Sequence, residues 1–368
     1  MILMSEKMKK QGKVLVAMSG GVDSSVAALL LQKQGYDVTG ATLQIWSDDV
    51  NQQSAGDNGC CSLSAVDDAR RVAEVLGIPY YVFNFKDIFT KTVIEPFIKE
   101  YQTGRTPNPC IFCNWHVKFE EMLKKALEMG FDYLATGHYA GIDQKNGKFR
   151  LLAELKNRKD QTYALYRLNQ MQLSHLLLPV AGIEKPELRK IAEDAKLPVA
   201  KKKDSQEICF VTDNDYAGFI REYTGEEQEK GDFVDKDGKS LGKHRGIIHY
   251  TVGQRKGIGI ASENPYYVLS IDAAENKVVL GEDKDLFTNA LEAGEIHWIS
   301  GECPKFPYKA QAKIRYLAPP VNVVIKSIPE TDEKRIRVEF EDAVRAVTPG
   351  QSVVFYQGSE VLGGGLIL

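Results

Sequence analysis

Apolar and polar positions alternate along the first 140 residues in a pattern that predicts strands and helices in turn. Four apolar runs have the length and boundaries of buried strands: Val14–Met18, Val38–Ile45, Tyr80–Phe85 and Tyr133–Thr136. The stretches between them carry apolar residues at helical spacing: Ser25–Gln34, Val66–Leu76, Ile88–Tyr101 and Asn114–Met129. This alternation predicts an α/β domain with a doubly wound parallel sheet, whose ligands bind at the carboxyl ends of the strands.

Four segments are predicted to meet at that edge of the sheet: Ser19–Ser24, Gly40–Trp46, Gly104–Asn114 and Gly137–Tyr139. Each follows or ends a predicted strand, or lies between two predicted helices. These segments are therefore the first candidates for residues that carry chemistry.

The last third of the chain has a different pattern. Short alternating runs are separated by turns: Gln311–Tyr316, Val321–Ile328, Arg335–Phe340 and Ser352–Tyr356. They predict a small antiparallel β-barrel. A Gly- and Lys-rich stretch with weaker periodicity precedes them. The predicted domains are residues 1–211 for the α/β domain, 212–281 for a small central connecting domain and 282–368 for the barrel.

Composition changes this picture mainly by what it excludes. The chain has 368 residues, of which 43% are apolar and 26% charged, and no apolar run approaches the roughly 20 residues of a membrane helix. The apolar part of the first seven residues is too short for a secretory signal. Six cysteines in a chain of this length are too few for a disulfide scaffold. We expect a cytoplasmic protein. Because the net charge is −3, contacts with nucleic acid would depend on local basic segments: Lys201–Lys203, Lys243–Arg245 and Arg255–Lys256.

The most informative motif is the glycine turn Ser19–Ser24, which follows the first predicted strand and begins the first helix. Two glycines let the backbone approach a bound anion, and the N–H groups of the first helical turn point toward it. A plain turn with Asp23 as the helix N-cap is the alternative, because glycine-rich turns are common. The loop resembles the pyrophosphate-binding SGGxDS signature (PP-loop) of the adenine nucleotide α-hydrolase class, which implies cleavage of ATP into AMP and pyrophosphate.

This loop is not a Walker A motif. The chain's Gly-Lys-Ser sequence, Gly238–Ser240, has Phe233 where that motif needs a glycine. The loop Ser19–Ser24 also contains no lysine. Transfer of a γ-phosphoryl group is therefore not the expected reaction.

Two cysteines three residues apart, Cys110 and Cys113, lie just before the helix predicted at Asn114–Met129. Such a pair can be a redox pair, half of a metal site or packing residues. A zinc site needs two more ligands, and the other four cysteines form no second Cys-x-x-Cys. At a helix N-terminus the macrodipole favours the thiolate of Cys113, which makes it a candidate nucleophile. Cys209 follows three lysines, and nearby cations lower the pKa of a thiol, but taken alone its position between Ile208 and Phe210 favours simple burial.

Five motifs occur in the order and spacing found in tRNA-specific 2-thiouridylases: Ser19–Ser24, Thr106–Asn114, Ala135–Ala140, Lys159–Tyr163 and Asp204–Phe210. The similarity extends to Tyr250–Gly257 and Thr348–Gln351, so the chain resembles this family over essentially its whole length. The resemblance implies ATP-dependent insertion of sulfur at C2 of the wobble uridine in the tRNAs for Lys, Glu and Gln. The expected partners are tRNA and a persulfide sulfur donor protein, and the expected cofactor is ATP with Mg²⁺.

The same resemblance implies roles for individual residues. Cys209 would carry a persulfide, and Cys113 would be the nucleophile that releases its sulfur and leaves a transient disulfide between the two. ATP contacts carry over to ten positions: Ala17, Met18, Ser19, Gly20, Gly21, Val22, Asp23, Ser24, Leu43 and Gly137. Contacts with the flipped target base and with other parts of the tRNA carry over to Asn108, Pro109, Cys110, His138, Lys159, Asp160, Gln161, Arg315, Tyr316 and Gln351.

Cys110 departs from many relatives, which carry aspartate at this position. An aspartate there could act as a general acid or base, so the resemblance assigns no role to the thiol. Cys110 is either a passive wall of the base pocket or one of three cysteines, with Cys113 and Cys209, that hold an iron–sulfur cluster.

Two other functions share part of the pattern. A ligase of the same ATP-cleaving class would have the phosphate loop but would need no paired cysteines. A non-catalytic RNA-binding module would need neither feature. The products distinguish them, because a tRNA 2-thiouridylase releases AMP and pyrophosphate when it meets unmodified tRNA.

Overall fold

The computed structural model describes residues 11–45, 63–154, 159–203, 208–211, 215–328 and 335–368. These residues form two compact units. The first contains the described residues of Met1–Thr90, Cys113–Thr162 and Leu168–Thr212, and the second contains those of Lys91–Phe112, Tyr163–Arg167 and Asp213–Leu368.

A five-stranded parallel sheet forms the centre of the first unit. Its strands are β1 (Lys13–Ala17), β2 (Asp37–Gln44), β3 (Tyr80–Asn84), β4 (Tyr133–Ala135) and β7 (Leu176–Leu177). They lie in the order β3-β2-β1-β4-β7, and all four neighbouring pairs are parallel. The order reverses between β1 and β4, which is where open α/β sheets bind ligands. The predicted parallel sheet is confirmed.

Three helices pack against this sheet: α1 (Val22–Lys33), α2 (Leu63–Leu76) and α8 (Lys185–Asp194). Eight of the 12 residues of α1 are buried, because neighbouring elements cover most of its surface. One core cluster contains Val26 of α1, Val72 of α2 and Leu188 and Ala192 of α8. The shared core fixes the beginning of α8 relative to the beginning of α1.

The other helices of the described chain are shorter: α3 (Lys86–Phe89), α4 (Glu95–Gln102), α5 (Pro109–Phe112), α6 (Leu123–Glu128), α7 (Gln170–Ser174) and α9 (Tyr216–Thr224). Two π-helical segments, Thr90–Ile94 and Cys113–Met122, continue α3 into α4 and α5 into α6. Single 3₁₀ turns occur at Thr162–Ala164, Ile247–His249 and Asp283–Leu286. In the first unit, β5 (Gly141–Lys145) and β6 (Lys148–Leu152) form an antiparallel hairpin.

The second unit contains a four-stranded sheet and a barrel. The sheet has the order β10-β11-β8-β9, from β8 (Gly231–Val234), β9 (Ser240–His244), β10 (Tyr267–Asp272) and β11 (Lys277–Gly281). The barrel strands are β12 (Phe287–Trp298), β13 (Tyr308–Lys313), β14 (Val321–Ser327), β15 (Ile336–Arg345), β16 (Ser352–Gln357) and β17 (Glu360–Ile367). Antiparallel pairing runs β12-β15-β14-β13-β16-β17, and β12 also pairs with β17. The circle is closed, so the predicted antiparallel β-barrel is confirmed.

Candidate active site

The loop between β1 and α1 has the conformation that its glycines allow. Gly20 has a φ of +64°, and a Cβ atom there would lie 2.3 Å from the carbonyl oxygen of Ala65 in α2. The loop therefore lies directly against the first turn of α2, and a side chain at this position would force it away. Gly21 is the N-cap of α1 and has no side chain to occupy the N–H groups of the first helical turn. The alternative with Asp23 as N-cap is wrong, because Asp23 is the second residue of the helix.

The serines stabilise the turn from inside. Ser24 Oγ accepts a hydrogen bond from the Ser19 N–H at 3.1 Å, and Ser25 Oγ donates to the Gly21 carbonyl at 2.7 Å. The Ser24 and Ser25 side chains are both buried. These bonds hold the loop at the amino end of α1, and the amino end of a helix is a place where phosphate binds in other proteins.

Gly137 brings a second loop against the phosphate loop. It follows β4 at the carboxyl edge of the sheet, and a Cβ atom there would lie 2.6 Å from the Ser24 nitrogen and 2.7 Å from the Asp23 carbonyl carbon. Only glycine permits this approach. Within the first unit, the structure thus brings Ser19–Ser24 and Gly137–Tyr139 to one sheet edge, as the sequence predicted. Gly40–Gln44 lies within β2, and Trp46 is outside the described residues.

Asp23 has two partners that sequence reasoning missed. Its Oδ1 atom accepts a hydrogen bond from the Tyr139 hydroxyl at 2.8 Å and lies 2.6 Å from Lys185 Nζ. Tyr139 is adjacent to the predicted site residue His138 and is 2% exposed. Lys185 is 162 residues from Asp23 in sequence, so only the fold reveals this contact.

Three other residues predicted to contact ATP, Ala17, Met18 and Leu43, lie in the sheet or directly after one of its strands. Ala17 ends β1, and the Met18 carbonyl accepts a hydrogen bond from Thr42 Oγ1 at 2.6 Å. Met18 and Leu43 are 2% and 5% exposed. Their side chains belong to the packing that supports the loop.

Cys113 is not at a helix N-terminus, as the sequence pattern had suggested. The helix begins at Pro109, four residues earlier, and Cys113 is the first residue of the π-helical segment that continues it. The reason is that Pro109 fits the first helical position, where its missing N–H is not needed. The macrodipole argument for a Cys113 thiolate therefore loses its basis. Cys113 and Cys209 are both half-buried, whereas Cys110 is exposed.

His138 lies among polar groups close to the π-helical segment. Its Nδ1 atom is 2.7 Å from Thr136 Oγ1, and its ring packs against Phe119 with centroids 5.7 Å apart. Burial, followed by the nearby Lys118 ammonium, lowers the pKa of His138 well below its usual value of 6.5. The ring is therefore neutral at pH 7 and offers a neutral hydrogen-bonding group.

The predicted tRNA contacts at Lys159–Gln161 include side chains with clear local roles. Gln161 Oε1 accepts from the Tyr139 N–H at 3.0 Å, so it supports the loop that contains His138. Asp160 accepts from Thr162 Oγ1 at 2.6 Å and from the Glu154 N–H at 2.8 Å. Lys159 is half-buried.

The segment Thr106–Cys110, which we call the TPNPC segment, belongs to the second unit. The Thr106 N–H donates to the Pro349 carbonyl at 2.8 Å. The Thr106 carbonyl accepts from Gln351 Nε2 at 2.8 Å. Thr106 Oγ1 is 3.1 Å from Thr251 Oγ1. Three bonds from one residue thus anchor this segment inside the second unit. Asn108 Oδ1 accepts from the Cys110 N–H at 3.2 Å, and Pro109 is buried.

Arg315 and Tyr316 also make contacts within the second unit. Arg315 Nη2 donates to the Ala346 carbonyl and, at 3.0 Å, to Thr348 Oγ1. Burial, and then the neighbouring Arg345, lowers the pKa of Arg315 from its usual value. The Tyr316 ring packs edge-on against Tyr163 with centroids 6.2 Å apart. Arg315 therefore braces the turn before Gln351.

The described residues contain no group of three or more His, Cys, Asp or Glu side chains that could hold a metal ion. The iron–sulfur alternative, which needs Cys110, Cys113 and Cys209 together, gains no support from this part of the chain. Asp204–Glu207, Cys60 and Cys61 lie outside the described residues. No helix in the described ranges is long and apolar enough to span a membrane.

Family models match three consecutive parts of the chain. Residues 12–213 match the tRNA methyl transferase HUP domain, residues 217–282 the tRNA methyl transferase PRC-barrel domain, and residues 288–367 the aminomethyltransferase beta-barrel domain. These matches and the parallel sheet define the class: a HUP-type PP-loop domain followed by two β-barrel domains.

Curated relatives match over nearly the full length. The chain is 56% identical to the tRNA-specific 2-thiouridylase MnmA of Acetivibrio thermocellus over 357 residues, which cover 96% of this chain and 99% of the relative. It is 55% identical to the Lachnoclostridium phytofermentans MnmA, with 97% and 99% covered, and 51% identical to that of Clostridioides difficile, with 96% and 98% covered. The chain belongs to the tRNA-specific 2-thiouridylase (MnmA) family. The resemblance found in the five sequence motifs is confirmed.

Solved structures give weaker matches. A 4-thiouridine synthetase–RNA complex with bound ATP has a TM-score of 0.33 at 16% identity, with 57% of this chain and 50% of that chain covered. The NMN synthetase of Francisella tularensis has a TM-score of 0.32 at 18% identity, with 60% and 79% covered.

Proposed function

We propose that this protein is an ATP-dependent tRNA-uridine 2-sulfurtransferase that acts on the wobble uridine, position 34, of the tRNAs for Lys, Glu and Gln. Membership of the MnmA family supports the reaction class. The observation that carries the ATP part is the close approach of Gly137 to Asp23 and Ser24, which leaves the amino end of α1 framed by two glycine loops. This cradle fits a triphosphate, because its donors are the backbone N–H groups at the amino end of α1.

The first step is activation of the uridine. The C2 oxygen attacks the α-phosphorus of ATP, the bond from phosphorus to the bridging oxygen breaks, and pyrophosphate leaves with that electron pair. The N3 proton of the uridine is released to solvent. The oxygen at C2 is then part of a good leaving group, AMP. We propose that residues 17–24, Leu43 and Gly137 form the nucleotide site and that Mg²⁺ accompanies the triphosphate.

The second step is sulfur transfer. A persulfide on Cys209, received from a donor protein, is attacked by the Cys113 thiolate at the Cys209 sulfur. The persulfide bond breaks, its electron pair goes to the terminal sulfur, and a Cys113–Cys209 disulfide forms. The released hydrosulfide attacks C2, and AMP departs with the oxygen. Two electrons from an external dithiol then restore the cysteines.

The target base must leave the anticodon stack to present its C2 edge, and a single-stranded loop makes this inexpensive. We propose that Asn108, Pro109 and Cys110 line the base pocket, with Cys110 as a passive wall. His138, Lys159–Gln161, Arg315, Tyr316 and Gln351 are proposed tRNA contacts, some of which also support the loops described above. We retain the domain limits 1–211, 212–281 and 282–368 and a cytoplasmic location as part of this proposal.

The test is a reaction with purified protein, ATP, a persulfide donor and unmodified tRNA for Lys. Nucleoside mass spectrometry should find 2-thiouridine at position 34, together with AMP and pyrophosphate in equal amounts. A tRNA without uridine at position 34 is the matched control and should remain unmodified. ADP as the product, or unchanged uridine with the full set of reactants, would contradict the proposal.

A further inference from the structure

A lysine reaches the phosphate loop from a distant part of the chain. Lys185 Nζ lies 2.6 Å from Asp23 Oδ1, and the Lys185 side chain is only 14% exposed. An ammonium so far withdrawn from water depends on neighbouring anions for its stability. The loop Ser19–Ser24 itself contains no lysine, so this is a cation that the motif does not supply.

The position of the ammonium is set by rigid elements. Lys185 is the first residue of α8 and is followed by Pro186, which fixes the backbone at the beginning of the helix. Leu188 and Ala192, one and two turns later, are fully buried in the core that includes α1. The packing of α8 on α1 therefore places Lys185 beside the loop before any ligand binds.

Charges of both signs surround this ammonium. The amino end of α1 carries a partial positive charge, and Lys185 lies at the amino end of its own helix, where a cation is unfavourable. Asp23 provides a negative charge in direct contact, and Glu184 and Glu187 lie near Lys185 in sequence at the beginning of α8. The ammonium and the amino end of α1 would both attract a ligand with several negative charges, whereas a neutral ligand would gain nothing from them.

Building on the nucleotide site proposed above, we propose that Lys185 is the phosphate-binding lysine of this loop and that it contacts the pyrophosphate part of ATP. An ammonium has three donors, so one lysine can bond to a carboxylate and to a phosphate oxygen at the same time. When the α-phosphorus is attacked, the electron pair of the breaking bond passes to pyrophosphate. Lys185 then stabilises the charge that grows on this leaving group. Asp23 orients the lysine.

The test compares Lys185→Gln and Lys185→Arg with Lys190→Gln, an exposed lysine on the same helix. Calorimetry measures the Kd values of ATP, pyrophosphate and AMP for each variant. Lys185→Gln should weaken ATP and pyrophosphate binding about 10- to 100-fold, the range for losing a hydrogen bond to a charged group. AMP, which lacks the β- and γ-phosphates, should lose far less. Lys185→Arg should recover part of the affinity, and Lys190→Gln should match the unsubstituted protein.

A purely structural role for Lys185 predicts a different result. Lys185→Gln would then lower the Tm and weaken ATP and AMP equally, which would overturn the inference, as would an unchanged Kd for ATP and pyrophosphate. If the unsubstituted protein binds neither ATP nor pyrophosphate, the proposed nucleotide site itself is wrong. That outcome is visible before any variant is compared.

Discussion

The phosphate loop and the TPNPC segment are both short, polar and rich in glycine or proline, but different interactions fix them. Ser19–Ser24 is held by bonds between residues three to five positions apart and by its own sheet. Thr106 is held by side chains 145 and 245 positions away. The turn of the first segment is thus formed by local bonds, with Tyr139 and Lys185 added at Asp23, whereas the bonds that hold Thr106 all come from residues distant in sequence. We expect substitutions in the two segments to cause separable defects.

The largest effect is expected at the two proposed sulfur-carrying residues. Cys113→Ser and Cys209→Ser should each abolish formation of 2-thiouridine, because a hydroxyl can neither accept a persulfide nor attack one. With a donor that carries radioactive sulfur, Cys113→Ser should still load label on Cys209, and Cys209→Ser should not.

Cys303→Ser is the matched control for these variants. Cys303 is exposed in the second unit, and its loss should leave the thiolation rate unchanged. Cys60→Ser and Cys61→Ser are predicted to behave in the same way. Normal activity of either Cys113→Ser or Cys209→Ser would eliminate the two-cysteine mechanism.

A large but incomplete effect is expected at the junction of the two glycine loops. Gly137→Ala places a methyl group against the backbone of Asp23 and Ser24, which must then shift. Because overpacking costs about 1–3 kcal/mol, kcat/KM for ATP should fall roughly 10- to 100-fold, while the Kd for tRNA changes little. Steady-state release of pyrophosphate measures the first quantity, and filter binding measures the second.

Gly130→Asn is the control for this glycine. Gly130 has a φ of +80°, and no atom lies within 4 Å of a Cβ atom there, so asparagine is accommodated with little strain. If Gly137→Ala weakens tRNA binding by the same factor as it lowers kcat/KM for ATP, the junction supports the whole unit and not the nucleotide site.

The smallest effect is expected at Gln351, where two roles make opposite predictions. Its side chain donates to the Thr106 carbonyl, so Gln351→Ala should loosen the TPNPC segment. Because such a bond contributes about 0.5–1.5 kcal/mol, kcat at saturating tRNA should fall several-fold. If Gln351 acts mainly by contacting tRNA, KM for tRNA should rise while kcat is unchanged. Gln357→Ala, which removes only an exposed bond to Tyr308, is the control for both measurements.

Much of the first unit could be predicted because its signals are local. The strand, glycine turn and helix around Ser19–Ser24 follow from periodicity and from the conformational freedom of Gly20. Gly137 could also be placed at the same edge, since parallel strands present their carboxyl ends together. Alternation alone predicts the barrel, although no local signal specifies the pairing of β12 with β17.

Contacts between distant positions were beyond the reach of the sequence. Nothing near Lys185 marks it as a partner of Asp23, because the contact arises from the packing of α8 against α1. The predicted position of Cys113 at a helix N-terminus is wrong for a different reason. The apolar period suggested a helix from Asn114, but Pro109 had already begun one, and a π-helical turn then altered the spacing.

The central claim is that the C2 oxygen of the uridine itself becomes bound to the α-phosphorus. The reaction can be run to completion in water enriched in oxygen-18, and the AMP can be analysed by mass spectrometry. If the uridine oxygen attacks ATP, the AMP formed with 2-thiouridine should contain no oxygen from the solvent. AMP that carries one solvent oxygen for each 2-thiouridine would mean that water cleaves ATP, and it would contradict adenylation of the base.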